Sequence, residues 1–164
     1  IRQPLDFWGL NYYTPMRVRD DASVPFPHVA GAPAVRPETT DIGWEIEPQG
    51  LSHVVKDLYG RYTLPPFYIT ENGAAENAEV ENGAVSDTMR LEYLSTHLSV
   101  AADLISENYP LKGYFAWSLM DNFEWAEGYS QRFGIVHVNY ETQERTIKQS
   151  GHWYASLIAG HKAG

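Results

Sequence analysis

The chain has 164 residues, of which 43% are hydrophobic, and its formal net charge is −9 at pH 7. This length suffices for one domain with its own core, and the apolar content argues against a disordered chain. The negative charge argues against nucleic acid as a partner, because phosphate groups are bound by clustered Lys and Arg. The chain has no cysteine, which excludes disulfides, thiolate nucleophiles and Cys-ligated metal sites.

No apolar run is long enough to span a bilayer, and no signal-peptide pattern begins at Ile1. We therefore expect no membrane partner and favour the cytoplasm, although the lack of cysteine leaves the compartment open. The six histidines show no metal-ligand spacing, and no Gly-rich phosphate-binding motif occurs. We expect neither a metal nor a cofactor.

The first predicted strand covers residues 5–13 and carries Asn11, Tyr12 and Tyr13 at its carboxyl end. It begins almost at residue 1, which is unusual for an intact domain. Residues 14–50 are rich in Pro and Gly and show no sustained period. Such a stretch is typical of a functional loop over a site, and Trp44 near its end is a candidate to line that site.

A helix and a second buried strand follow this loop. Four apolar residues recur at helical spacing: Leu51, Val54, Val55 and Leu58. Gly60 and Pro65 end the predicted helix. The strand over residues 64–71 ends at Glu71, and the Asn72-Gly73 pair after it favours a sharp turn. Active sites of parallel α/β proteins lie at this end of the sheet, but on this stretch alone Glu71 is equally well interpreted as a solvated loop residue.

The second half of the chain repeats the strand and helix alternation. Residues 74–85 are predicted to be an exposed acidic loop, and Ser86 and Asp87 are helix N-terminal signals. An apolar stripe then comprises Leu91, Leu94, Leu98, Ala101 and Ile105. A third buried strand over residues 113–118 leads into a polar and aromatic loop over residues 119–134. A short alternating segment at 135–139 and a last helix near 150–159 close the chain.

This order predicts parallel strands joined by helical crossovers, and hence an α/β fold. Three buried strands do not complete a sheet, because each expects helices on its faces and strands at its edges. A (β/α)8 barrel needs about 250 residues, so the chain holds roughly three of its eight units in a single domain over residues 1–164. Aromatics make up 13% of the chain and several adjoin polar residues, which suits sugar binding, although capping of a core edge explains the composition as well.

Three motifs, at residues 10–14, 70–73 and 117–125, resemble the carboxy-terminal part of glycoside hydrolase family 1, the β-glucosidase family. Residues 43–46 and 127–134 agree with it, and the similarity runs from about Asp6 to Ile158. The resemblance implies a partial TIM barrel, roughly the last three βα units, and hydrolysis of β-glycosides with retention. It implies that Glu71 is the nucleophile and that Tyr13 hydrogen-bonds its carboxylate. Further substrate-binding residues implied by the resemblance are Asn11, Trp44, Trp117, Glu124, Trp125 and Phe133.

Within that set, Trp117 is implied to be the platform beneath the sugar, Glu124 and Trp125 to bind its hydroxyls, and Trp44 to flank the leaving group. A carboxylate at Glu124 would repel a phosphorylated sugar, and residues 119–133 contain no Lys, so plain β-glucosides or oligosaccharides are the expected substrates. The preferred sugar stays open. Asp121 and Asn122 could touch sugar, but bonds that shape their loop are at least as good an interpretation.

The family's proton-donating Glu lies in an Asn-Glu-Pro motif, which this chain lacks. Glu47 precedes a Pro but lies in the wrong place. Retaining hydrolysis needs two carboxyl groups, so we expect the chain to be inactive alone and to need the missing amino-terminal portion. Self-association of partial barrels is a second possibility. An alternative function is that of a non-catalytic sugar-binding module or an inactive folding fragment.

Overall fold

A three-stranded parallel sheet lies at the centre of the computed structural model, which describes residues 3–162. The elements are β1 (Trp8–Asn11), β2 (Val18–Asp20), β3 (Val29–Gly31), α1 (Pro48–Arg61), β4 (Phe67–Asn72), α2 (Thr88–Ser106), β5 (Leu111–Ala116), β6 (Val136–Val138), β7 (Arg145–Ile147) and α3 (Gln149–Lys162). Strand β4 lies between β1 and β5 and is parallel to both. The predicted α/β order with parallel strands is confirmed. Within the described chain, β1 and β5 each pair along one side only.

Helices α1 and α2 cover one face of this sheet and form the main core with it. Leu51 and Val55 of α1 pack with Phe67 and Ile69 of β4 and with Leu104 of α2, and all five are at most 1% exposed. Strand residues alternate between the two faces of a sheet, so the side chains between these buried residues point the other way.

The buried face of α2 differs from the predicted apolar stripe. Leu94 and Ala101 are buried as expected, but Ile105 is 56% exposed. The residues that α2 buries are Arg90, Tyr93, Leu94, His97, Val100, Ala101 and Leu104. The buried face includes the charged or polar side chains of Arg90 and His97, which a search for apolar residues at helical spacing passes over. The predicted face is therefore shifted by about one residue towards the carboxyl end of α2.

Two small antiparallel pairs lie outside the central sheet. Strands β2 and β3 pair within the stretch that was predicted to be irregular, and their residues are mostly exposed, so they show no apolar alternation. The segment predicted to alternate contains β6, which pairs with β7, a strand that the sequence did not indicate. The predicted third strand is β5, which begins two residues earlier than expected.

The side of the sheet away from the helices is uncovered within the described residues. We call this surface, formed by Phe7, Tyr68, Thr70 and Phe115, the open face. Phe7 and Tyr68 contact each other edge to face at 5.4 Å, yet Phe7 is 57% and Phe115 56% exposed. No helix in residues 3–162 is long and apolar enough to cross a membrane.

Candidate active site

Glu71 lies at the carboxyl end of the sheet, where it is the register partner of Asn11 in β1. An irregularity in the pairing of β4 just before Glu71 leaves Thr70 exposed and Glu71 half-buried, whereas Asn72 is fully buried. Asn11 accepts a hydrogen bond of 2.6 Å from the Thr70 hydroxyl. The irregularity therefore keeps the carboxylate on the open side of the sheet while the next side chain turns towards the helices.

The Tyr13 phenol donates a 2.7 Å hydrogen bond to Oε2 of Glu71, across 58 positions of sequence. Burial raises the pKa of Tyr13 well above its ordinary value, and the bond to the Glu71 carboxylate raises it further. The phenol thus stays protonated and serves as a fixed donor to the carboxylate. This is the contact that the family resemblance implies for the two residues.

Three aromatic rings form a wall beside this pair. Tyr13 contacts Trp44 and Phe133 with ring centroids 5.6 and 6.0 Å away, and Trp44 and Phe133 are 5.8 Å apart. Phe133 is buried. Edge-to-face and tilted rings at these distances attract each other, so the wall is a stable surface next to Glu71.

Glu45 holds the loop that carries Trp44. It is 4% exposed and accepts two bonds from Arg17, of 2.7 Å from Nε and 2.6 Å from Nη2. The backbone amides of Val35 and Arg36 donate to the same carboxylate. Because these donors favour its charged form, with the Arg17 bonds contributing most, the pKa of Glu45 falls to about 2. The long loop is therefore anchored at one buried carboxylate next to the aromatic wall.

Trp117 and Glu124 lie on the neighbouring loop, after β5. Nε1 of Trp117 donates to Oε1 of Glu124 at 3.4 Å. Burial raises the pKa of Glu124, and the negative charge of Glu71 adds a smaller contribution to the same rise. A site with a carboxylate, a second carboxyl group and an indole face offers the groups that bind sugar hydroxyls and C–H surfaces.

Gly73 brings this loop against the end of β4. The Trp117 amide donates to the Asn72 carbonyl at 2.9 Å, and a Cβ on Gly73 would lie 1.8 Å from the Trp117 carbonyl oxygen. Only a glycine fits at that distance. Sequence reasoning took Asn72 and Gly73 for a turn, but Asn72 is the last residue of β4 and the glycine is needed for close approach.

Trp125 is the one proposed sugar-binding residue that lies apart from the others. It is 83% exposed, and its ring makes none of the aromatic contacts that join Tyr13, Trp44 and Phe133. It begins a 3-10 turn, Trp125–Glu127, with a positive φ of 49°. Its proposed role therefore requires a ligand, or a further part of the protein, to approach from the solvent side.

Asp121 shapes the loop after β5 and does not face the candidate site. It is 4% exposed and accepts bonds from Arg132 at 2.7 Å, from Lys148 at 2.8 Å and from the Gly134 amide at 3.0 Å. Burial lowers the pKa of Lys148 to about 8. Of the two interpretations open from the sequence, the structure supports loop shaping. No three potential metal ligands converge among residues 3–162.

Sequence reasoning missed two buried residues behind the site. Asn72 donates to the Tyr12 carbonyl at 2.7 Å and to the Tyr93 phenol at 3.0 Å, and it accepts a bond from the Tyr114 phenol. Tyr93 in turn donates to the Tyr13 carbonyl at 2.7 Å. The signals for Asn72 are its place directly after Glu71 and its membership of the motif at residues 70–73. Tyr93 could be found only as a phenol among the aliphatic residues of its helix.

Residues 1–163 match the model of glycosyl hydrolase family 1. The chain belongs to this family. It is 60% identical over 166 residues to a β-glucosidase of Agrobacterium sp., which covers 100% of this chain and 36% of that relative. The predicted resemblance is confirmed, and it extends beyond the span of residues 6–158 on which it was based.

Solved structures agree with this assignment. The virulence factor SghA from Agrobacterium tumefaciens superposes with a TM-score of 0.93 at 61% identity, over 96% of this chain and 36% of SghA, and one SghA structure contains its substrate analog salicin. A family 1 β-glucosidase from Thermotoga maritima gives a TM-score of 0.91 at 48% identity, over 95% of this chain and 35% of that protein. These relatives are TIM barrels, and the chain spans about a third of their length.

Proposed function

We propose that this chain is the carboxy-terminal portion, roughly the last three βα units, of a single-domain retaining β-glucosidase. Family membership and the share of the relatives that is covered support this assignment. The three parallel strands fit such a portion. In a closed barrel the open face would line the interior, and β1 and β5 would each pair with a further strand on the side that is unpaired in the described chain.

The observation that carries the proposal is the 2.7 Å bond from Tyr13 to Glu71 at the carboxyl edge of the sheet. Glu71 attacks the anomeric carbon and the bond to the leaving group breaks, which gives a covalent glycosyl-enzyme that water then hydrolyses. Tyr13 orients the attacking carboxylate and, as a neutral donor, stabilises its charge before attack and again when it is released.

The sugar lies on Trp117, with Glu124 accepting bonds from its hydroxyls and Asn11 close to Glu71. Trp44 and Phe133 line the wall, with Trp44 on the leaving-group side. The substrate is unphosphorylated, since Glu124 repels a phosphate group and the cation nearest in sequence, Arg132, is engaged by Asp121. Trp125 binds sugar hydroxyls from the outer side.

The proton donor comes from the amino-terminal portion of the protein. Retaining enzymes place the two carboxyl groups about 5–5.5 Å apart. Glu47, which precedes a proline, has another role here: its side chain accepts from the Gln49 amide at the start of α1 and pairs with Arg36. Without a donor for the leaving group, the chain alone is inactive.

The test combines this chain with a matching amino-terminal fragment, with an aryl β-glucoside as substrate. We expect activity only in the complex and a loss of at least about 10³-fold for Glu71→Gln. Glu107→Gln is the matched control, because Glu107 is an exposed carboxylate paired with Lys56.

A fluorosugar that traps the glycosyl-enzyme should label Glu71 in that complex, and labelling elsewhere overturns the nucleophile assignment. An inactive complex of proven composition contradicts the split-barrel proposal. Millimolar binding of glucose or cellobiose by the isolated chain, without turnover in the complex, would instead favour a sugar-binding module.

A further inference from the structure

A buried chain of hydrogen bonds lies directly behind the candidate nucleophile. It begins at Asn72, whose amide donates to the Tyr12 carbonyl at 2.7 Å and to the Tyr93 phenol at 3.0 Å. The Tyr93 phenol donates onward to the Tyr13 carbonyl at 2.7 Å. Asn72 is 0% and Tyr93 1% exposed, so water cannot replace these partners. Two consecutive carbonyls, those of Tyr12 and Tyr13, are thus fixed by two side chains that also bond each other.

The same segment is tied to Glu71 from its other side. The Tyr12 amide donates to the Glu71 carbonyl at 3.0 Å, and the Tyr13 phenol donates to the Glu71 carboxylate. The main chain of Tyr13 is therefore held from α2, and its side chain reaches across to β4. A shift of the Tyr13 carbonyl would move the phenol relative to the carboxylate it orients.

We infer that Tyr93 is a positioning residue, which sets the Glu71 carboxylate through Tyr13. The inference rests on the proposed function and adds to it a residue of α2 that contacts no sugar. Without the Tyr93 hydroxyl, the Tyr13 carbonyl and one Asn72 amide hydrogen lose a buried partner, which is costly. The Tyr13 main chain then gains freedom, and small displacements of a reacting carboxylate slow attack strongly.

The test is a double-mutant cycle in the complete enzyme, with Tyr93→Phe, Tyr13→Phe and both together, assayed on an aryl β-glucoside. We expect Tyr93→Phe to lower kcat roughly tenfold, the loss that one hydrogen bond of moderate strength explains, and to leave KM little changed. In the Tyr13→Phe background it should have no further effect, because its route to Glu71 is already removed.

Tyr59→Phe is the matched control. The phenol of Tyr59, in α1, also donates to a backbone carbonyl, that of Pro65 at 2.7 Å, and also accepts a side-chain bond, from Trp8 at 3.4 Å, but this carbonyl lies just before the start of β4, at the end of the strand away from Glu71. Because Tyr59 is only half-buried, Tyr59→Phe should lower the melting temperature no more than Tyr93→Phe does, and it should leave kcat unchanged. Effects of Tyr93→Phe and Tyr13→Phe that simply multiply, or an equal loss of kcat in Tyr59→Phe, overturn the positioning role.

A second measurement does not depend on turnover. Hydrogen exchange at the Tyr12 amide, which bonds the Glu71 carbonyl, should accelerate in Tyr93→Phe and not in Tyr59→Phe. An unchanged Tyr12 amide overturns the positioning role whether or not the enzyme is active. Failure of the wild-type enzyme to hydrolyse β-glycosides, in contrast, overturns the proposed function.

Discussion

Gly73 shows how one missing side chain decides where the candidate site can form. Its Cα lies against the carbonyl of Trp117, so the strand that carries Glu71 and the loop that carries Trp117 touch through backbone. The sequence shows a glycine after Asn72 but cannot show what approaches it, because Trp117 lies 44 positions further along the chain. A turn was the natural local interpretation, and the long-range contact makes it wrong.

Gly73→Ala should therefore disturb the site directly. A Cβ at 1.8 Å from the Trp117 oxygen forces backbone to move, which costs about 1–3 kcal/mol in the free energy of unfolding and displaces Trp117. Thermal melting and kcat of the complete enzyme measure both effects. Gly60→Ala, in α1 with no atom within 4 Å of the added Cβ, is the control and should be neutral or stabilising by up to about 1 kcal/mol. Equal effects of the two variants would contradict the close-approach explanation.

Asp121 gives a second prediction at this scale. Asp121→Ala should destabilise the protein by about 3–5 kcal/mol, because it leaves the ammonium of Lys148 buried without its partner. Asp57→Ala, which removes an exposed pair with Arg61, should cost no more than about 1 kcal/mol. Chemical denaturation of the complete enzyme compares them. A small loss for Asp121→Ala would show that the loop does not depend on this carboxylate.

Among the secondary-structure elements, those with a strong local pattern could be predicted and those fixed from a distance could not. The apolar runs of β1 and β4 and the helical spacing in α1 indicated a parallel sheet with Glu71 at its edge. The buried face of α2 was misplaced because Arg90 is fully buried, bonded to the carbonyls of Ala74, Glu76 and Arg132 from two other loops. Nothing in the helix itself shows that those partners exist.

The loop that carries Trp44 should respond to acid. The pKa of Glu45 is about 2 when folded, against an ordinary value of 4.5, so the anchor stabilises the fold above pH 4.5 and is lost as the pH falls towards 2. We expect the wild type to melt above Glu45→Gln at neutral pH and the gap to close over that range. Glu107→Gln, at an exposed pair, should stay close to the wild type throughout. A gap that persists at about pH 2 would show that ionisation of Glu45 is not what holds the loop.

At the scale of the whole molecule, the open face is the feature that sequence reasoning anticipated in outline. Three strands were too few for a finished sheet, and the structure leaves Phe7 and Phe115 more than half exposed on the side away from the helices. Which residues occupy this face could not be read from composition, because Phe115 and its partly buried neighbour Tyr114 are both aromatic. Phe115 lies on the open face and Tyr114 on the opposite face because successive side chains of a strand point to opposite sides of the sheet.

Under the proposed function, Phe115→Asp should prevent assembly with the amino-terminal portion. A charge on the open face would be buried without a partner once the barrel closes, while the isolated chain tolerates it on an exposed position. Phe26→Asp is the control, since Phe26 is 87% exposed on the loop between β2 and β3 and away from the sheet. Sedimentation of the co-expressed fragments should show a complex for the wild type and the control only. A stable complex with Phe115→Asp would contradict docking on this face.

The one-sided pairing of β1 and β5 has a practical consequence for anyone who produces this polypeptide. The outer edge of each of these strands carries backbone donors and acceptors that no other strand of the described chain satisfies. Such unpaired strand edges form hydrogen bonds with strands of other copies of the chain, which leads to aggregation. Expressed by itself, the polypeptide should collect in inclusion bodies, and refolding yield should fall as protein concentration rises. Under the proposed function, co-expression with the amino-terminal fragment should pair both strand edges during synthesis, and it is the preparation in which the kinetic comparisons should be made.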